Sequence, residues 1–223
     1  MPTELIDLMN TVADSLMEPG DLGETLARIT HTARDMVPRA DYASISIRHG
    51  DGGLETVAAT DALISTVDEL QQVLQEGPSY RPPTGEQVTY SGNLSTDERW
   101  PTYGQQVSRL GLASQLGMTL HADASARTGL NLYSRKRAAF GDSRQVAGIF
   151  VSHAKVALGY AEEVNIMRSA LATRTVIGEA IQIVMERNGL DEERALEFLI
   201  RVSQRGNITL RVIASEIVET SVA

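Results

Sequence analysis

One long stretch determines how the rest of the chain is interpreted. From Asn165 to Arg187 the sequence runs NIMRSALATRTVIGEAIQIVMER. The stretch contains no proline, and Gly178 is its only glycine, so the pattern predicts one unbroken helix. The residues before it alternate between helical and strand-like patterns, whereas those after it are helical. We therefore expect this helix to join a mixed domain to a small helical tail and to carry any signal between them.

The tail after this stretch predicts two more helices. Asn188-Gly189 is a helix-stop signal, and Asp191 can cap a helix from Glu192 to Gln204. A last helix is predicted from Thr209 to Glu219. The apolar residues expected to close a small core against Ile177, Ile181 and Val184 are Leu196, Leu199, Ile200, Val202, Leu210, Ile213, Ile217 and Val218. The tail is therefore expected to be an all-α three-helix unit.

The residues before the long helix predict a helix-flanked antiparallel sheet. Helical spacing covers residues 3–17, 21–36, 61–75 and 103–110, with Asp21 as a cap. Strand-like segments are residues 42–48, 54–59, 87–90, 114–120 and 128–134. Most of these strands are joined by links of hairpin length. The fold class is therefore α+β.

The upstream part of the long helix, for which Asp142 is the predicted cap, has a heptad pattern. Apolar positions recur in alternating steps of four and three at Val146, Phe150, His153, Ala157, Tyr160, Val164, Met167 and Leu171. Such a seam is typical of a parallel two-stranded coiled coil, so we expect a homodimer. The alternative is a helix that packs on its own sheet as far as Tyr160 and is exposed beyond it. The weak seam residues His153, Ala157 and Tyr160 keep that alternative open.

The charge balance limits the partners of the chain. It has 29 acidic and 20 basic residues, a formal net charge of −9, which argues against non-specific binding of polyanions by the whole molecule. From Arg194 to Arg211, however, there are four arginines and one acid, Glu197, a local net charge of +3. A basic patch is therefore possible in the tail of an acidic protein.

The composition excludes several chemistries. With no cysteine, the chain has no disulfide, thiolate nucleophile, zinc–thiolate site or cysteine-tethered chromophore. No apolar run is long enough to cross a bilayer, and the first residues lack the pattern of a secretory signal. We therefore expect a cytoplasmic protein that does not bind membranes.

Catalysis has little support in the sequence. The histidines His31, His49, His121 and His153 fall on separate predicted elements. His121-Ala-Asp123 has no third metal ligand nearby, so a surface turn is expected there. Ser152-His153 are neighbours on a helix and point apart, which excludes a nucleophile–base pair between them. We expect a non-enzyme without metal or cofactor.

The tail resembles the ANTAR domain. The matching residues, in order, are Ala170-Leu171, Arg174, Ile177, Ala180, Met185-Glu-Arg187, Ser203 with Asn207, and Leu210-Arg211 with Ala214. Members of this family bind RNA as transcription antiterminators. The resemblance implies a target of paired stem-loops with six-base loops, one for each protomer.

The first part resembles a GAF domain of the kind that precedes ANTAR domains in actinobacterial proteins. The matching pieces are Glu76-Gly-Pro, Gly85-Glu-Gln-Val, Asp97-Glu-Arg-Trp-Pro, Leu110-Gly-Leu-Ala-Ser, and Gly129-Leu-Asn-Leu-Tyr-Ser with Ala139-Phe140. Their order and spacing carry the resemblance. It implies a sensor domain whose small-molecule ligand, if any, is unknown, in a pocket walled by residues 77–92, Trp100 and the strand around Leu116. The implied domains are a GAF-like sensor over 1–155, a coiled-coil linker helix over 144–171 and an ANTAR RNA-binding domain over 165–220.

The ANTAR resemblance also implies RNA-binding residues. They are Arg174, Gln182, Arg201, Arg205 and Arg211. Arginine supplies both charge and a planar face for unpaired bases. The alternative is that the arginines are solvated and paired with acids of the tail, such as Glu192, Glu193 or Glu197 for those of the second helix. Ile181 and Gln182 depart from the family, which usually has a lysine or other long residue and then glycine there. Gln182 either fills the gap that glycine leaves or hydrogen-bonds to a base.

Two functions follow. The first is a signal-responsive, RNA-binding transcription antitermination regulator that acts as a homodimer. The second is a ligand-sensing or scaffolding dimer whose ANTAR-like tail binds a protein and not RNA. The departure at Gln182 and the acidic balance of the chain favour the second.

Overall fold

The computed structural model describes residues 12–81 and 87–222 of the chain. The chain divides into two compact units, Met1–Glu162 and Glu163–Ala223. The first unit contains a sheet with flanking helices, whereas the second contains only helices. Among the described residues, no helix has the length and apolar character needed to span a membrane.

The first unit is built on a five-stranded sheet. Its strands are β1 (Tyr42–His49), β2 (Leu54–Ala59), β3 (Val88–Ser91), β4 (Ser114–Ala122) and β5 (Ala126–Ser134). They are arranged in the order β2-β1-β5-β4-β3, and every neighbouring pair is antiparallel. The predicted α+β class and its helix-flanked antiparallel sheet are therefore confirmed.

Besides a short 3-10 helix, Leu94–Thr96, the described residues include six longer α-helices. They are α1 (Leu22–Met36), α2 (Ala62–Leu74), α3 (Pro101–Arg109), α4 (Arg144–Asn188), α5 (Glu192–Gly206) and α6 (Leu210–Val222). Residues 12–16 are also helical, whereas residues 3–11 of the first predicted helix lie outside the described residues. Asp21 caps α1 as predicted, because its carboxylate accepts the Glu24 N–H at 2.8 Å. The prediction that Asp142 caps α4 was wrong, since α4 begins one residue after Ser143, whose carbonyl accepts the Ala147 N–H.

The two faces of the sheet differ in polarity because successive side chains along a strand point to opposite sides. The apolar face carries the fully buried residues Ala43, Ile45, Leu116, Leu130 and Leu132. These residues share one core with α1 and the first part of α4. The opposite face carries buried polar residues, among them Ser46, Gln115 and Asn131. A second apolar core, around Trp100, Tyr103 and Tyr133, packs on that face.

The first part of α4 belongs to the core of the first unit. Phe150 and Ala157, two positions of the predicted heptad seam, are fully buried there. Val146, His153 and Val164 are half-buried. The other seam members are exposed: Tyr160 by 58%, Met167 by 55% and Leu171 by 65%. The residues of the predicted seam therefore differ in burial along the helix. Because Phe150 and Ala157 are buried in the first unit, they are not available to a partner helix.

The second unit closes around small side chains. Ala180, Ala195 and Ala214 are fully buried, one on each of α4, α5 and α6, and they share a core with Val184, Leu199 and Ile213. Short side chains at these points let the three helices approach closely. The predicted core positions Ile200 and Val202 were wrong, because each is 38% exposed.

A carboxyl group is buried next to the polar face of the sheet. Asp68 on α2 accepts hydrogen bonds from the Tyr133 hydroxyl at 2.5 Å, the Thr56 hydroxyl at 3.1 Å and the Gln71 amide at 3.1 Å. Burial outweighs these hydrogen bonds and raises the pKa of Asp68 above its ordinary value. The native carboxyl therefore keeps its proton at a pH where the unfolded chain has lost it.

Asp68→Asn should change how stability depends on pH. Because the native pKa of Asp68 is raised, the wild-type free energy of unfolding falls as pH rises from about 4 through that native pKa. Asparagine does not titrate, so we expect the variant to gain stability relative to wild type over this interval. Urea unfolding at a series of pH values measures the difference.

Asp123→Asn is the matched control with the opposite sign. Hydrogen bonds from Ser125 and Ala126 hold the pKa of Asp123 well below its usual range, so wild type should lose this contribution as pH falls. The free energy of unfolding that Asp123→Asn loses relative to wild type should therefore be largest near neutral pH and disappear at acidic pH. Parallel pH curves for wild type and Asp68→Asn would contradict the assignment.

Candidate functional site

Helix α5 presents a basic face in the second unit. Asp191 caps the helix by accepting the Arg194 N–H at 2.9 Å. Arg194, Phe198, Arg201 and Arg205 then follow in steps of four, three and four, so they share one side of the helix. All four side chains are exposed. We call this set the arginine face.

The arginines of this face differ in their surroundings. Arg194 lies 3.7 Å from the Asp191 carboxylate in an exposed ion pair. Within the described part of the chain, Arg201 and Arg205 have no ion pair. The alternative that Glu192, Glu193 or Glu197 neutralises them is therefore not seen in this structure. Glu197 lies at the edge of the face, one residue before Phe198.

Phe198 was not among the predicted site residues. Its side chain is 41% exposed although it is a large apolar group. The signal that could have found it is its spacing, four residues after Arg194 and three before Arg201, on a helix whose core side is occupied by Ala195 and Leu199. An aromatic ring among arginines is a suitable surface for an unpaired base, since bases stack on aromatic and guanidinium planes.

The turn between α5 and α6 explains the serine and asparagine of the ANTAR-like pattern. The Ser203 carbonyl accepts the N–H groups of Asn207 and Ile208, and the Ser203 hydroxyl donates to the Ile208 carbonyl at 2.6 Å. Asn207 has φ +49°, the left-handed conformation that asparagine tolerates better than most residues. Both residues thus shape the turn that places Arg211 at the start of α6.

Arg211 and Arg174 lie beside one groove on α4. The Arg211 guanidinium donates to the Ser169 hydroxyl at 3.3 Å. Ser169 also lines a groove of about 640 Å³ together with Asn165, Ile166, Ala170, Thr173, Arg174 and Ile177. The structure therefore brings Arg174 and Arg211 to the same groove, which combines apolar carbons with hydroxyl, amide and guanidinium groups.

Gln182 has acidic surroundings. It lines a second groove, of about 610 Å³, with Gly178, Glu179, Ile181, Met185, Glu186 and Glu192. None of the predicted RNA-binding arginines lines this groove. Three carboxylates near Gln182 repel phosphate groups, so this surface is unsuited to the RNA backbone.

The loop after α2 is fixed over the polar face of the first unit. The Glu76 carboxylate accepts the N–H groups of Thr102 and Tyr103 at the start of α3, at 2.8 and 3.0 Å. The Gln71 side-chain oxygen accepts the Ser79 N–H at 2.8 Å. The Trp100 indole N–H donates to the Arg81 carbonyl at 3.2 Å. The GAF-like pieces that begin at Glu76 and Asp97 therefore hold this loop in position.

Beneath this loop lies a small pocket, which we call the sheet pocket. Its described lining residues are Ser46, Arg48, Leu54, Pro78, Ser79, Thr89, Gly117, Met118, Thr119, Arg127, Gly129 and Asn131, and its volume is about 20 Å³. The predicted walls were right for the loop and for the strand around Leu116, which contributes Gly117, Met118 and Thr119, and wrong for Trp100. Trp100 is buried in the second core of this unit, and Leu116 points to the opposite face of the sheet.

Metal-binding groups are not assembled in the described residues. Within residues 12–81 and 87–222, no group of three or more His, Cys, Asp or Glu side chains is placed to hold a metal ion. His121 lies 3.2 Å from the Asp123 carboxylate, which also accepts the N–H groups of Ser125 and Ala126. Asp123 thus shapes the β4–β5 hairpin turn.

Comparisons with known proteins agree with this geometry. Residues 166–218 match the ANTAR domain. The GAF domain of a phosphoenolpyruvate-protein phosphotransferase from Coxiella burnetii has a TM-score of 0.56 at 13% identity, over 73% of this chain and 96% of that one. The GAF domain of the Acinetobacter phosphoenolpyruvate-protein phosphotransferase has a TM-score of 0.53 at 14% identity, over 74% and 98%.

A longer structure is also similar. A bacteriophytochrome from R. palustris has a TM-score of 0.58 at 12% identity, and the match covers 88% of this chain but only 46% of that one. The chain thus spans about half the length of that relative. No curated protein matches the chain. At these identities the solved structures establish the fold alone.

The first unit therefore has a GAF-like fold, and the tail carries an ANTAR domain, a domain of RNA-binding regulators. The chain thus combines a GAF-like fold with an ANTAR domain, which confirms the predicted resemblance at this level. RNA binding and regulation follow from the ANTAR match.

The role of Asn207 can be tested by two substitutions. Glycine adopts the left-handed conformation without strain, so Asn207→Gly should keep the fold and the RNA affinity of the wild type. Valine is strained there, so Asn207→Val should lower the free energy of unfolding by about 1–2 kcal/mol. Urea unfolding and RNA titration of both variants measure this. Loss of RNA binding by a stable Asn207→Gly variant would instead make Asn207 a contact residue.

Proposed function

We propose that the chain is a signal-responsive, RNA-binding transcription antitermination regulator, which acts in the cytoplasm as a homodimer on paired stem-loop RNA with six-base loops. The observation that carries the proposal is the arginine face of α5 within an ANTAR domain. Each protomer would bind one stem-loop, and the GAF-like unit would set whether two tails are presented together.

The arginine face has the chemistry that RNA loops need. Arg201 and Arg205 are exposed and have no ion pair in the described residues, so binding a phosphate breaks no existing pair. Phe198, between Arg194 and Arg201 on the same face, offers a plane on which an unpaired base can stack. Arg174 and Arg211 extend the basic surface along the groove of α4.

Dimerisation is supported by the burial along α4. None of the residues 162–179 is buried, although this segment includes Ile166, Met167 and Leu171, each more than half exposed. A helix without a buried face is marginal in water, and most helical stability in proteins comes from packing an apolar side. Tyr160, Met167 and Leu171, in steps of seven and four, give the stripe on which a second α4 would pack.

A second function has one observation in its favour. The groove around Gln182 combines Ile181 and Met185 with the carboxylates of Glu179, Glu186 and Glu192. This surface suits a basic protein segment and repels RNA. A tail that used this groove alone would make the chain a ligand-sensing or scaffolding dimer that binds a protein partner.

The two functions are separated by one binding experiment. Fluorescence anisotropy measures the affinity of the chain for a tandem hairpin RNA with six-base loops. The same measurement is made with an RNA that has the same stems and scrambled loops. The regulator proposed here should prefer the intact loops at physiological salt. Equal affinity for both RNAs, or no binding, would favour the protein-binding alternative.

Arg205→Ala and Arg211→Ala should each weaken RNA binding and reduce its salt dependence. Every lost phosphate contact lowers the slope of log affinity against log salt by about 0.7–0.9. Arg201→Ala belongs to the same series. Arg187→Ala is the control, because Arg187 is an exposed arginine of α4 whose side chain donates to Ser221. An unchanged slope in both main variants would remove these residues from the RNA interface.

Phe198→Ala in the same titration should weaken loop binding while leaving the salt slope unchanged, because stacking releases no counterions. The expected loss for one stacked base is about 1–3 kcal/mol of binding free energy. Phe198→Trp should keep the affinity. If Phe198→Ala leaves the affinity for intact loops unchanged, no base stacks on the Phe198 ring.

Leu171→Asp and Met167→Asp should convert the dimer to monomers, since each places a charge in the apolar stripe. Light scattering coupled to size-exclusion chromatography gives the mass. Ala172→Asp is the control, because it adds the same charge at an exposed position outside the stripe. A dimer that survives both substitutions in the stripe would place the interface elsewhere.

A further inference from the structure

The second unit has two exposed surfaces of opposite charge. One is the arginine face of α5. The other is the groove that we call the acidic groove, lined by Glu179, Gln182, Glu186 and Glu192 together with Ile181 and Met185. Within the described part of the chain, no ion pair involves the three glutamates of this groove or Arg201 and Arg205 of the face. Both surfaces therefore present their charges to the solvent.

The residues of the two surfaces have the same spacing in opposite chain directions. On α4, steps of four and three separate Glu186, Gln182 and Glu179. On α5, steps of four and three separate Arg194, Phe198 and Arg201. Seven residues of helix span about 10.5 Å, so the two glutamates and the two arginines are equally far apart along their helices. Antiparallel packing of the face on the groove would therefore place each arginine opposite a glutamate.

Apolar groups occupy the middle of both surfaces. Ile181 and Met185 are half-buried in the acidic groove, and the Phe198 ring is 41% exposed between two arginines. In the antiparallel arrangement, this ring meets the two apolar side chains between the ion pairs. Exposed ion pairs alone contribute little, whereas aromatic side chains and arginines contribute most at protein interfaces. The combination therefore suits a specific protein contact better than charge alone would.

The two surfaces do not meet within one copy of the chain. Both belong to one three-helix unit, because Ala180 of α4 and Ala195 of α5 are buried in its core. In the described residues, no arginine of the face pairs with a glutamate of the groove. A second copy carries both surfaces, so a two-fold axis between two tails makes the same contact twice. The match of charge and spacing therefore favours a second copy as the occupant of the groove.

We propose that the arginine face of one copy packs antiparallel in the acidic groove of a second copy, and that this tail contact covers Arg201 until RNA displaces it. The contact is distinct from the pairing of α4 through its apolar stripe, because it involves other residues and depends on charge. The covering of an RNA-binding residue rests on the function proposed above, whereas the contact itself does not.

The tail contact is tested by sedimentation equilibrium of the full chain. Every sample carries Leu171→Asp, so that pairing through the stripe of α4 does not contribute. At low salt, the mass should rise reversibly from monomer toward dimer as the protein concentration increases. Higher salt should reverse this association, because it screens exposed charges. Dilute samples at physiological salt should therefore remain monomeric.

Charge reversal on either surface should weaken the association by about tenfold or more, because like charges then face each other. The groove variant is Glu179→Arg with Glu186→Arg, and the face variant is Arg194→Glu with Arg201→Glu. An equimolar mixture of the two variants should associate again, because every contact between them pairs opposite charges. Glu179→Arg and Arg201→Glu alone give the same comparison at one ion pair if a double variant loses its helix content in circular dichroism.

Glu216→Arg with Glu219→Arg is the matched control. Both glutamates are exposed on α6 and do not line the acidic groove. This variant changes the net charge by the same amount as the groove variant. It should nevertheless associate as the chain with Leu171→Asp alone does.

Three results would overturn the proposal. Samples that stay monomeric at low salt and high concentration would mean that the tails do not associate. Association that neither charge variant weakens would place the contact elsewhere. If both variants are weakened but their mixture does not associate, the face and the groove do not meet each other.

A stem-loop RNA with one six-base loop separates the tail contact from the RNA function. The RNA should dissociate the dimer, because both partners require Arg201. RNA that binds without dissociating it would mean that the contact leaves the arginine face open, which also contradicts the proposal. A chain that associates and responds to charge reversal as described, but binds no RNA, supports the tail contact and overturns only the RNA function.

Discussion

The change in burial along α4 is the constraint on which the rest of the molecule depends. Its first part contributes Phe150 and Ala157 to the core of the sheet unit. Its last part contributes Ala180 and Val184 to the core of the ANTAR unit. From residue 162 to residue 179 no side chain is buried. A single helix thus contributes side chains to two cores. Its middle must be stabilised either by the packed helical segments at both ends or by contact with another chain. For this reason the apolar residues of the middle are the part of the helix most sensitive to partners.

In the first unit, a network of hydrogen bonds between polar side chains connects separate elements of the fold. Asp68 accepts from Gln71, whose oxygen holds the Ser79 N–H, and the Ser79 hydroxyl donates to Asn131. Asn131 in turn donates to Ser46. This series of hydrogen bonds joins α2, the loop and two strands, and a satisfied buried network rigidifies the groups that it connects.

The sequence predicted the elements better than their surroundings. Helix caps at Asp21 and Asp191, and all five strands, follow from local chemistry and periodicity, which do not depend on distant residues. The burial of Phe150 in its own sheet could not be read from the heptad pattern, because a period shows which residues share a side but not what covers that side. The actinobacterial subtype of the resemblance stays a prediction.

In the candidate sites, too, local features were predicted better than their surroundings. The spacing of Arg201 and Arg205 predicted a shared face, whereas Phe198 was missed because an apolar residue in a helix is usually a core residue. The pocket wall predicted on the strand around Leu116 is formed by Gly117, Met118 and Thr119, whereas the Leu116 side chain itself points to the opposite face of the sheet. The pairing of Arg48 with Arg127 requires the strand register, which the sequence does not contain.

Trp100 has a consequence of a different kind. It is the only tryptophan of the chain, and it is almost completely buried. Its indole N–H donates to the Arg81 carbonyl, and the Arg99 guanidinium lies 4.4 Å from its ring centre. Any displacement of the loop changes both the polarity and the hydrogen bonding of this one chromophore. The protein therefore contains its own optical reporter, whose emission follows the state of the pocket loop without a label.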